Sequence, residues 1–448
     1  MKNKHNINKN LNNVKYIVTR ASKPIKGNII VPGDKSISHR AIMFGSLSNG
    51  VTNIKGFLEG YDSLATLQAF REMGVSIYGP KNNKLCISGV GIYGLKNPNK
   101  QLYLGNSGTS MRLLTGLLAG QKFDTTLTGD KSLNNRPMKR IANPLKLMGA
   151  KIKTDKKGLP PLQIIGKRLK GIKYIMPIAS AQVKSCLLLS GIYAKGETKI
   201  IEKGLTRDHT ERMLKNFGYK LRKKDKTITL VGGSNLQASK IKIPSDISSA
   251  AFFLVAASIV PKSELLLEKV GINPTRIGVI NILRRMGADI KLLNKKNWSN
   301  EPVADIKIKF ANLKGIDIPI DQVPLAIDEL PILLVAAANA EGITRLRGAE
   351  ELRVKESDRI SVMARGFKTI GVQNKVYEDG IDIIGAKKYK GGYIKSYGDH
   401  RVSMSFAIAA LRSTDDIIID DCINVSTSFP NFKTLLNNLG IKIKEVKY

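Results

Sequence analysis

A short pattern of apolar and polar positions recurs six times along the chain. Each copy has a large apolar residue, two variable residues, a second apolar residue and then Gly, before a strand-like stretch. Apolar residues at positions i and i+3 mark the buried face of an amphipathic helix, and Gly readily adopts the left-handed conformation that ends a helix. The pattern therefore predicts six helix ends, at residues 70–74, 145–149, 214–218, 283–287, 367–371 and 436–440.

A second pattern falls between these helix ends, where a polar start is followed by a run of small and apolar residues. A helix that is apolar all round belongs in a protein core, so each run predicts a buried helix. Short alternating stretches at 226–231, 305–310 and 380–384 predict half-buried strands. Each repeat is therefore mixed α and β. The six polar starts lie at residues 35–36, 106–107, 180–182, 245–246, 328–329 and 399–400.

The repeats suggest two globules of three repeats each, because units of this length are large for a solenoid. We expect a first globule over residues 32–245 and a second over residues 15–31 plus 246–448. Residues 1–14 are predicted to be a disordered basic tail. Gathering the buried helices would bring their positive N-termini to one face of each globule. Two such faces, opposed across a cleft, would bind anions.

Composition is consistent with a folded protein and adds a large positive charge. Of the 448 residues, 42% are hydrophobic, and 73 Lys and Arg against 36 Asp and Glu give a formal net charge of +37. This charge indicates anionic partners, or a biased codon usage that favours Lys. A basic nucleic-acid-binding protein is the alternative from another class, although basic patches with interleaved aromatic residues are missing. No apolar run reaches the roughly 18 residues of a membrane span.

Cysteine and histidine usage indicates a reducing compartment and no metal centre. Cys86, Cys186 and Cys422 are far apart and odd in number, which fits a cytoplasmic protein without disulfides. The chain has four His, none of them in a spacing that builds a zinc site. We therefore expect cytoplasmic localisation and no bound metal.

Several cations occur where a helix is predicted to begin. Lys35, Ser36 and Arg40 surround one such start, where hydroxyl and backbone N–H groups can hold a phosphate. An ordinary helix cap is the alternative, but cations at a helix N-terminus oppose its dipole and need an anion nearby. The same reasoning applies to three more cations ahead of repeat helices, Arg136, Lys355 and Arg359.

Two carboxylates are candidates for acid and base chemistry. Asp328 precedes a buried helix, and Glu356 follows a Lys, so cations can tune the pKa of each carboxyl group. The alternatives are a helix cap for Asp328 and a plain ion pair for Glu356. Asp399, His400 and Arg401 form a third polar start, either a cap or part of a site; a metal-ligating role for His400 is disfavoured.

Taken together, eight motifs carry a resemblance that covers residue 15 to the C-terminus. The motifs are PGDKSISHR, LGNSGTSMRLL, SAQVKS, RDHTE, NPTR, IDELP, RVKESDR and GDHRVSMSF. In this order they resemble the EPSP synthase family. The resemblance implies an inside-out α/β barrel of two globules, each built from three βαβαββ units. It also implies transfer of the enolpyruvyl group of phosphoenolpyruvate to the 5-hydroxyl of shikimate 3-phosphate, with release of phosphate and no cofactor.

The resemblance also assigns site residues, by motif. Asp328 would accept the hydroxyl proton, and Glu356, alone or with Lys35, would handle the proton at C3 of phosphoenolpyruvate. The residues implied for shikimate 3-phosphate are Lys35, Ser36, Arg40, Ser180, Ala181, Gln182, Arg207, Asp328 and Lys355. The residues implied for phosphoenolpyruvate are Lys35, Gly108, Arg136, Gln182, Arg359 and Arg401.

The motifs also bear on which branch of the family the chain resembles and on a related enzyme with the same fold. Residues 427–430 lack the Lys that one branch of the family has before this segment, and SAQVK, RDHTE and NPTR resemble a second branch that is often less sensitive to glyphosate. UDP-N-acetylglucosamine enolpyruvyltransferase shares the fold but has a Cys-bearing loop, and no Cys lies in such a loop here. We expect a monomer that acts on small-molecule substrates, with no specific nucleic acid and no membrane.

Overall fold

The computed structural model describes residues 13–386 and 388–448. Helices and strands alternate through both ranges, as the repeats predict. The α-helices are α1 (Lys35–Leu47), α2 (Tyr61–Glu72), α3 (Gly108–Ala119), α4 (Lys131–Asn134), α5 (Lys139–Leu147), α6 (Ala181–Gly191), α7 (His209–Asn216), α8 (Ile247–Ile259), α9 (Gly278–Arg285), α10 (Leu330–Ala338), α11 (Arg359–Thr369), α12 (His400–Ala409) and α13 (Phe432–Asn438). Short 3₁₀ helices lie at Ile320–Gln322, Glu350–Val354, Ala410–Arg412 and Ile423–Thr427.

The strands form six small sheets. They are β1 (Val14–Val18), β2 (Lys26–Ile29), β3 (Ser48–Lys55), β4 (Ser76–Lys81), β5 (Lys84–Val90), β6 (Leu102–Tyr103), β7 (Thr125–Thr128), β8 (Lys151–Lys153), β9 (Leu162–Ile165), β10 (Lys173–Ile175), β11 (Glu197–Ile201), β12 (Leu221–Lys224), β13 (Thr227–Val231), β14 (Leu236–Gln237), β15 (Lys240–Lys242), β16 (Glu264–Gly271), β17 (Asp289–Trp298), β18 (Glu301–Lys309), β19 (Ile343–Leu346), β20 (Asn374–Tyr377), β21 (Gly380–Ile384), β22 (Gly392–Lys395), β23 (Ile417–Asp420) and β24 (Ile443–Lys447).

One sheet pattern recurs in every repeat. A parallel strand pair is followed by antiparallel partners, as in the order β6-β7-β9-β8 and again in β10-β11-β13-β12. The sheet β19-β21-β20 has isolated parallel bridges, Lys314 to Glu341 and Asp317 to Arg345, in place of the parallel strand. The shared pattern supports six copies of one folding unit.

The six glycine-terminated helices are confirmed. The glycines follow helices α2, α5, α7, α9, α11 and α13, and each has a positive φ between 77° and 94°. Gly lacks the Cβ that makes this left-handed conformation costly, so it ends the helix and lets the chain turn into the next strand. The six positions are Gly74, Gly149, Gly218, Gly287, Gly371 and Gly440.

The hydrophobic core consists of two clusters. One contains buried side chains from residues 37–243, and the other contains those from residues 14–31 and 247–443. We refer to the chain around them as the first globule and the second globule. Every residue of α8 and α10 is buried, because both helices are apolar on all faces and lie inside the second cluster.

The N-terminal strands belong to the second globule. β1 pairs with β23 and β24, and β2 runs parallel to β16. Residues 1–12 of the predicted tail lie outside the described residues. The expected tail boundary at residue 14 is wrong, because Val14 is buried and begins β1, opposite Lys447 of β24.

The chain crosses between the globules twice, and the two crossings pair with each other. The Asp34 amide donates to the Pro244 carbonyl at 2.9 Å, and the Asp246 amide donates to the Pro32 carbonyl at 2.8 Å. Gly33 lies between these bonds, opposite Ser245. A Cβ at Gly33 would lie 1.8 Å from the Gly56 carbonyl oxygen, so only Gly fits there. The two crossings are therefore hydrogen-bonded to each other.

Candidate active site

Several of the polar helix starts predicted from the sequence lie where the two globules meet, as the bonds from the Lys35 amide to Asp246 and from Arg207 to Asp328 show. We call this junction the cleft. Two of these helices are capped by an Asp that is not a predicted binding residue: the Asp34 carboxylate accepts from the Ile37 amide, and the Asp399 carboxylate accepts from the Arg401 amide. The side chains of Lys35 and Arg401 are therefore free of any capping role. α10 has no side-chain cap, so the capping alternative for Asp328 is wrong.

In the first globule, the start of α1 brings two cations into the cleft. Lys35 Nζ lies 3.1 Å from the Asp62 carboxylate. Arg40 is buried, and its guanidinium donates to Thr210 Oγ1 at 2.7 Å, Ser185 Oγ at 2.8 Å and the Ser36 carbonyl at 2.9 Å. Burial lowers the pKa of Arg40 to about 10, which leaves the side chain charged at neutral pH.

The starts of α3 and α6 meet beside these cations. Gln182 Oε1 accepts from Arg112 at 2.5 Å, and its Nε2 donates to Thr109 Oγ1 at 3.0 Å. Ser180 caps α6 through the Val183 amide, and the predicted residues Ser180, Ala181 and Gln182 are half-buried. Gly108 begins α3, close to two guanidinium groups.

Two ion pairs between predicted site residues join the globules across the cleft. Arg207 Nη2 lies 2.6 Å from Asp328 Oδ2, and Arg136 Nη1 lies 3.2 Å from Glu356 Oε1. Arg136 also donates to Asn106 Oδ1 at 2.5 Å. The two predicted acid and base groups of the second globule thus each contact a cation of the first.

Asp328 is surrounded by positive charge. Its carboxylate lies 3.7 Å from Lys355 Nζ and 3.6 Å from Arg359 Nη1, and its backbone carbonyl accepts from Arg401 at 2.8 Å. Burial alone would raise the pKa of Asp328, but the cations, led by Arg207 and Lys355, hold it well below its ordinary value. Asp328 is therefore ionised at neutral pH and can accept a proton.

Glu356 lies in a similar setting. Arg359 Nη2 lies 2.6 Å from its carboxylate. Burial alone would raise the pKa of Glu356, but Arg136 and Arg359 hold it well below its ordinary value. The ion-pair alternative for Glu356 is thus observed, and one of its two partners lies in the opposite globule.

Arg359 of the second globule and Arg136 of the first are buried and only partly hydrogen-bonded. Arg359 is buried, and its Nε donates to Asp399 Oδ2 at 2.8 Å. The Arg359 Nη1 and Arg136 Nε nitrogens are buried and have no hydrogen-bond partner among the described residues. A buried guanidinium nitrogen without an acceptor costs folding free energy unless an anion accepts its hydrogen bond.

His400 has a neutral ring, and the three cysteines are free thiols. Burial, followed by nearby Lys35, lowers the pKa of His400 well below its ordinary value, so the ring is neutral at pH 7. Among residues 13–386 and 388–448, no group of three or more His, Cys, Asp or Glu side chains could hold a metal ion. Cys86, Cys186 and Cys422 are free thiols. In the same described ranges, no helix is long and apolar enough to cross a membrane.

Comparison with known proteins identifies the family. The sequence profile described as EPSP synthase (3-phosphoshikimate 1-carboxyvinyltransferase) matches residues 19–436. The chain belongs to the EPSP synthase family. As the resemblance implied, its reaction is the shikimate-pathway transfer of the enolpyruvyl group from phosphoenolpyruvate to shikimate 3-phosphate.

Relatives of the EPSP synthase family match nearly the whole chain. The 3-phosphoshikimate 1-carboxyvinyltransferase of Methylococcus capsulatus is 58% identical, over 94% of this chain and 96% of the relative. The enzyme of the same name from Hydrogenovibrio crunogenus is 56% identical, over 97% and 99%. The solved EPSP synthase of Acinetobacter baumannii is 55% identical and superposes with a TM-score of 0.87, over 97% of this chain and 100% of that one. This similarity confirms the two-globule, inside-out α/β fold.

Sequence reasoning missed Arg112, which contacts Gln182 and lies within 4 Å of a Cβ placed on Gly108. The sequence did contain a sign of its role, because Arg112 is the one charged residue of α3. It lies four residues after Gly108 and so on the same face of the helix. Asp62 and Asn106 were also missed, because their contacts with Lys35 and Arg136 depend on how separate helices pack.

Proposed function

We propose that shikimate 3-phosphate binds in the cleft beside Arg40, Arg207 and Lys355. Its phosphate and carboxylate need several charged donors, and Arg can supply two parallel hydrogen bonds to such groups. The half-buried starts of α1 and α6 add hydroxyl and backbone N–H donors. The proposed contacts are Lys35, Ser36, Arg40, Ser180, Ala181, Gln182, Arg207, Asp328 and Lys355.

Phosphoenolpyruvate binds next to it, between Arg136 of one globule and Arg359 of the other. Arg359 Nη1 and Arg136 Nε have no hydrogen-bond partner among the described residues, although Arg359 Nη1 lies 3.6 Å from Asp328. They support this assignment, because an anion there completes their hydrogen bonding. Gly108 supports it as well, since its missing side chain leaves the Arg136 guanidinium accessible from α3. The proposed contacts are Lys35, Gly108, Arg136, Gln182, Arg359 and Arg401.

Asp328 accepts the proton of the 5-hydroxyl as this oxygen attacks C2 of phosphoenolpyruvate. In the protein alone, neighbouring cations make Asp328 a weak base. When the phosphate and carboxylate groups of the substrates take those cations as partners, the cations stabilise the Asp328 carboxylate less and its pKa rises. Substrate binding therefore strengthens the base at the moment when it is needed.

Glu356 delivers a proton to C3 and later removes one, with Lys35 as its charged neighbour. Delivery requires a protonated carboxyl group, which Arg136 and Arg359 oppose in the protein alone. Binding of phosphoenolpyruvate to these arginines adds negative charge beside Glu356 and raises its pKa. The resulting intermediate carries both the shikimate oxygen and the phosphate on C2, and it collapses when C3 loses a proton and phosphate leaves.

Closure of the two globules, residues 32–245 against residues 15–31 plus 246–448, completes this site and excludes water from it. The ion pairs Arg207–Asp328 and Arg136–Glu356 support this role, since each links a substrate-binding residue of one globule to an acid or base of the other. We further propose that the enzyme acts as a monomer in the cytoplasm and has no specific nucleic-acid partner. The three free thiols support the reducing compartment.

Phosphate release tests the function. With shikimate 3-phosphate and phosphoenolpyruvate both present, and a chelator to remove metals, the enzyme should release phosphate. Omission of either substrate should stop the release. Release with UDP-N-acetylglucosamine in place of shikimate 3-phosphate would overturn the assignment of the acceptor.

A further inference from the structure

Residues 207–211, the RDHTE motif, form the start of α7, and each side chain has a different partner. We call this segment the α7 start. The side chains of Arg207, Asp208 and His209 cross to the second globule, whereas those of Thr210 and Glu211 bond within the first. Five consecutive residues thus connect the interface between globules to the interior of one globule.

The crossing contacts made by His209 are buried and polar. His209 Nδ1 lies 2.7 Å from Glu301 Oε1, and the other oxygen of Glu301 accepts from Asn273 Nδ2 at 3.0 Å. Because an ionised carboxylate only accepts, His209 Nδ1 carries the proton. His209, Glu301 and Asn273 are each at most 3% exposed, and His209 Nε2 has no hydrogen-bond partner among the described residues. The Nδ1 bond therefore fixes the His209 ring against the second globule.

The next residue reaches the substrate site. Thr210 Oγ1 accepts from Arg40 Nε at 2.7 Å and lies 2.7 Å from Ser185 Oγ. Thr210 follows His209 directly in the first turn of α7, so a displacement of His209 displaces the partner of Arg40. Arg207, two residues before His209, bonds Asp328. The α7 start thus lies between two groups assigned to shikimate 3-phosphate.

We infer that His209 and Glu301 form a positioning pair, which ties closure of the globules to the placement of Arg40 and Arg207 for shikimate 3-phosphate. This inference rests on the proposed substrate contacts. Neither residue touches substrate; the pair acts through the first turn of α7. Because the contact is equally present for bound substrate and for the transition state, it contributes uniform binding, which changes KM and leaves kcat nearly unchanged.

The test compares substitutions of His209 in steady-state kinetics. His209→Ala should raise KM for shikimate 3-phosphate about tenfold, the loss expected for one charge-assisted hydrogen bond, with kcat within about threefold of wild type. His209→Asn should have a KM within about threefold of wild type, because Asn Nδ2 is separated from the backbone by as many bonds as His Nδ1 and can donate to Glu301. Glu301→Ala should match His209→Ala, and the double substitution should add little further loss.

A scattering titration supplies the second readout. The concentration of shikimate 3-phosphate that half-compacts the enzyme in small-angle X-ray scattering should rise by the same factor as KM. Asn216→Ala is the matched control, because Asn216 lies on α7 but bonds Ser239 within the first globule. This control should change neither value.

The outcomes separate this inference from the function itself. An unchanged KM and unchanged compaction in His209→Ala, together with a lower melting temperature, would show a structural role only and overturn the inference. If His209→Ala does not fold, Glu301→Gln decides: weakening the bond should raise KM about threefold, and an unchanged KM rejects the pairing. Wild-type enzyme that fails to turn over shikimate 3-phosphate would overturn the function as well.

Discussion

Arg207 and Asp328 lie 121 residues apart and form a 2.6 Å ion pair across the cleft. One belongs to the first globule and the other to the second, so the pair exists only while the globules are in contact. Since Asp328 is the proposed base, the position of one globule sets the charge around the proton acceptor of the other. Proton transfer to Asp328 and contact between the two globules are therefore linked through the Arg207–Asp328 ion pair.

Asp328→Asn removes the proton acceptor but preserves the shape of the side chain. We expect turnover to fall about 10²-fold or more, with KM for shikimate 3-phosphate changed much less, because Asn still offers an oxygen to Arg207 but cannot accept a proton. Steady-state phosphate release measures both constants. Asp317→Asn, an exposed partner of Arg345, is the control and should behave as wild type. Near-normal turnover in Asp328→Asn would remove this residue from the mechanism.

Glu356→Gln should affect the C3 proton specifically. Turnover should fall about 10²-fold, and in D₂O the rate at which deuterium enters the product methylene should fall with it, because Gln neither gives nor takes a proton. Mass spectrometry of product formed in D₂O measures this rate, and Glu264→Gln, an exposed partner of Lys307, serves as the control. A wild-type rate of deuterium entry in Glu356→Gln would assign the proton to Lys35 instead.

Gly108→Ala should weaken phosphoenolpyruvate binding through Arg136. The new Cβ would lie 2.9 Å from Arg136 Nη1, closer than an unstrained contact allows, so the guanidinium must shift. We expect KM for phosphoenolpyruvate to rise about tenfold, the equivalent of about 1.4 kcal/mol, and KM for shikimate 3-phosphate to stay within about twofold. Gly204→Ala is the control, since its Cβ would meet only Ala179 at 3.6 Å. Equal rises in both KM values would contradict this reading of the Gly108 position.

Asp208→Asn should lower stability in a pH-dependent way. Burial alone would raise the pKa of Asp208, but hydrogen bonds from Arg212 and Asn273 lower it from 3.8 to about 2. A depressed carboxyl pKa stabilises the folded protein above the unfolded value of 3.8, and this stability is lost as pH falls through about 2.

We therefore expect Asp208→Asn to reduce the free energy of unfolding by about 2 kcal/mol at pH 7 and by about half as much at pH 3. Urea unfolding at the two pH values measures the difference. A loss of the same size at pH 7 and pH 3 would mean that Asp208 contributes by packing and not by charge.

Much of the repeat structure could be read from local sequence. Each helix end needed only two apolar positions and a Gly, and all six glycines adopt the left-handed conformation that this pattern predicts. The apolar helices α8 and α10 are buried because no face of either could be exposed without cost. Helix ends and burial follow from a few neighbouring residues, so they do not depend on where the rest of the chain lies.

The candidate site was only partly predictable. The cations at helix starts pointed to anionic ligands, because they oppose the helix dipole at that position. For Asp328 the sequence left a helix cap open as the alternative to an acid or base, and the side chain contacts Arg207, Lys355 and Arg359 instead of capping α10. An Asp just before a helix can either cap that helix or serve as an acid or base, and the sequence alone does not distinguish these two roles.

By itself, the sequence determined the six repeats, the ends of their helices and the types of side chain available for anions. Only the tertiary structure decided which of those side chains meet: β1 beside β23, Arg112 beside Gln182, His209 beside Glu301. The members of each pair are separated by at least 70 residues. Local propensity sets a helix within a few residues, whereas these contacts depend on the packing of two separate cores, which no stretch of neighbouring residues specifies.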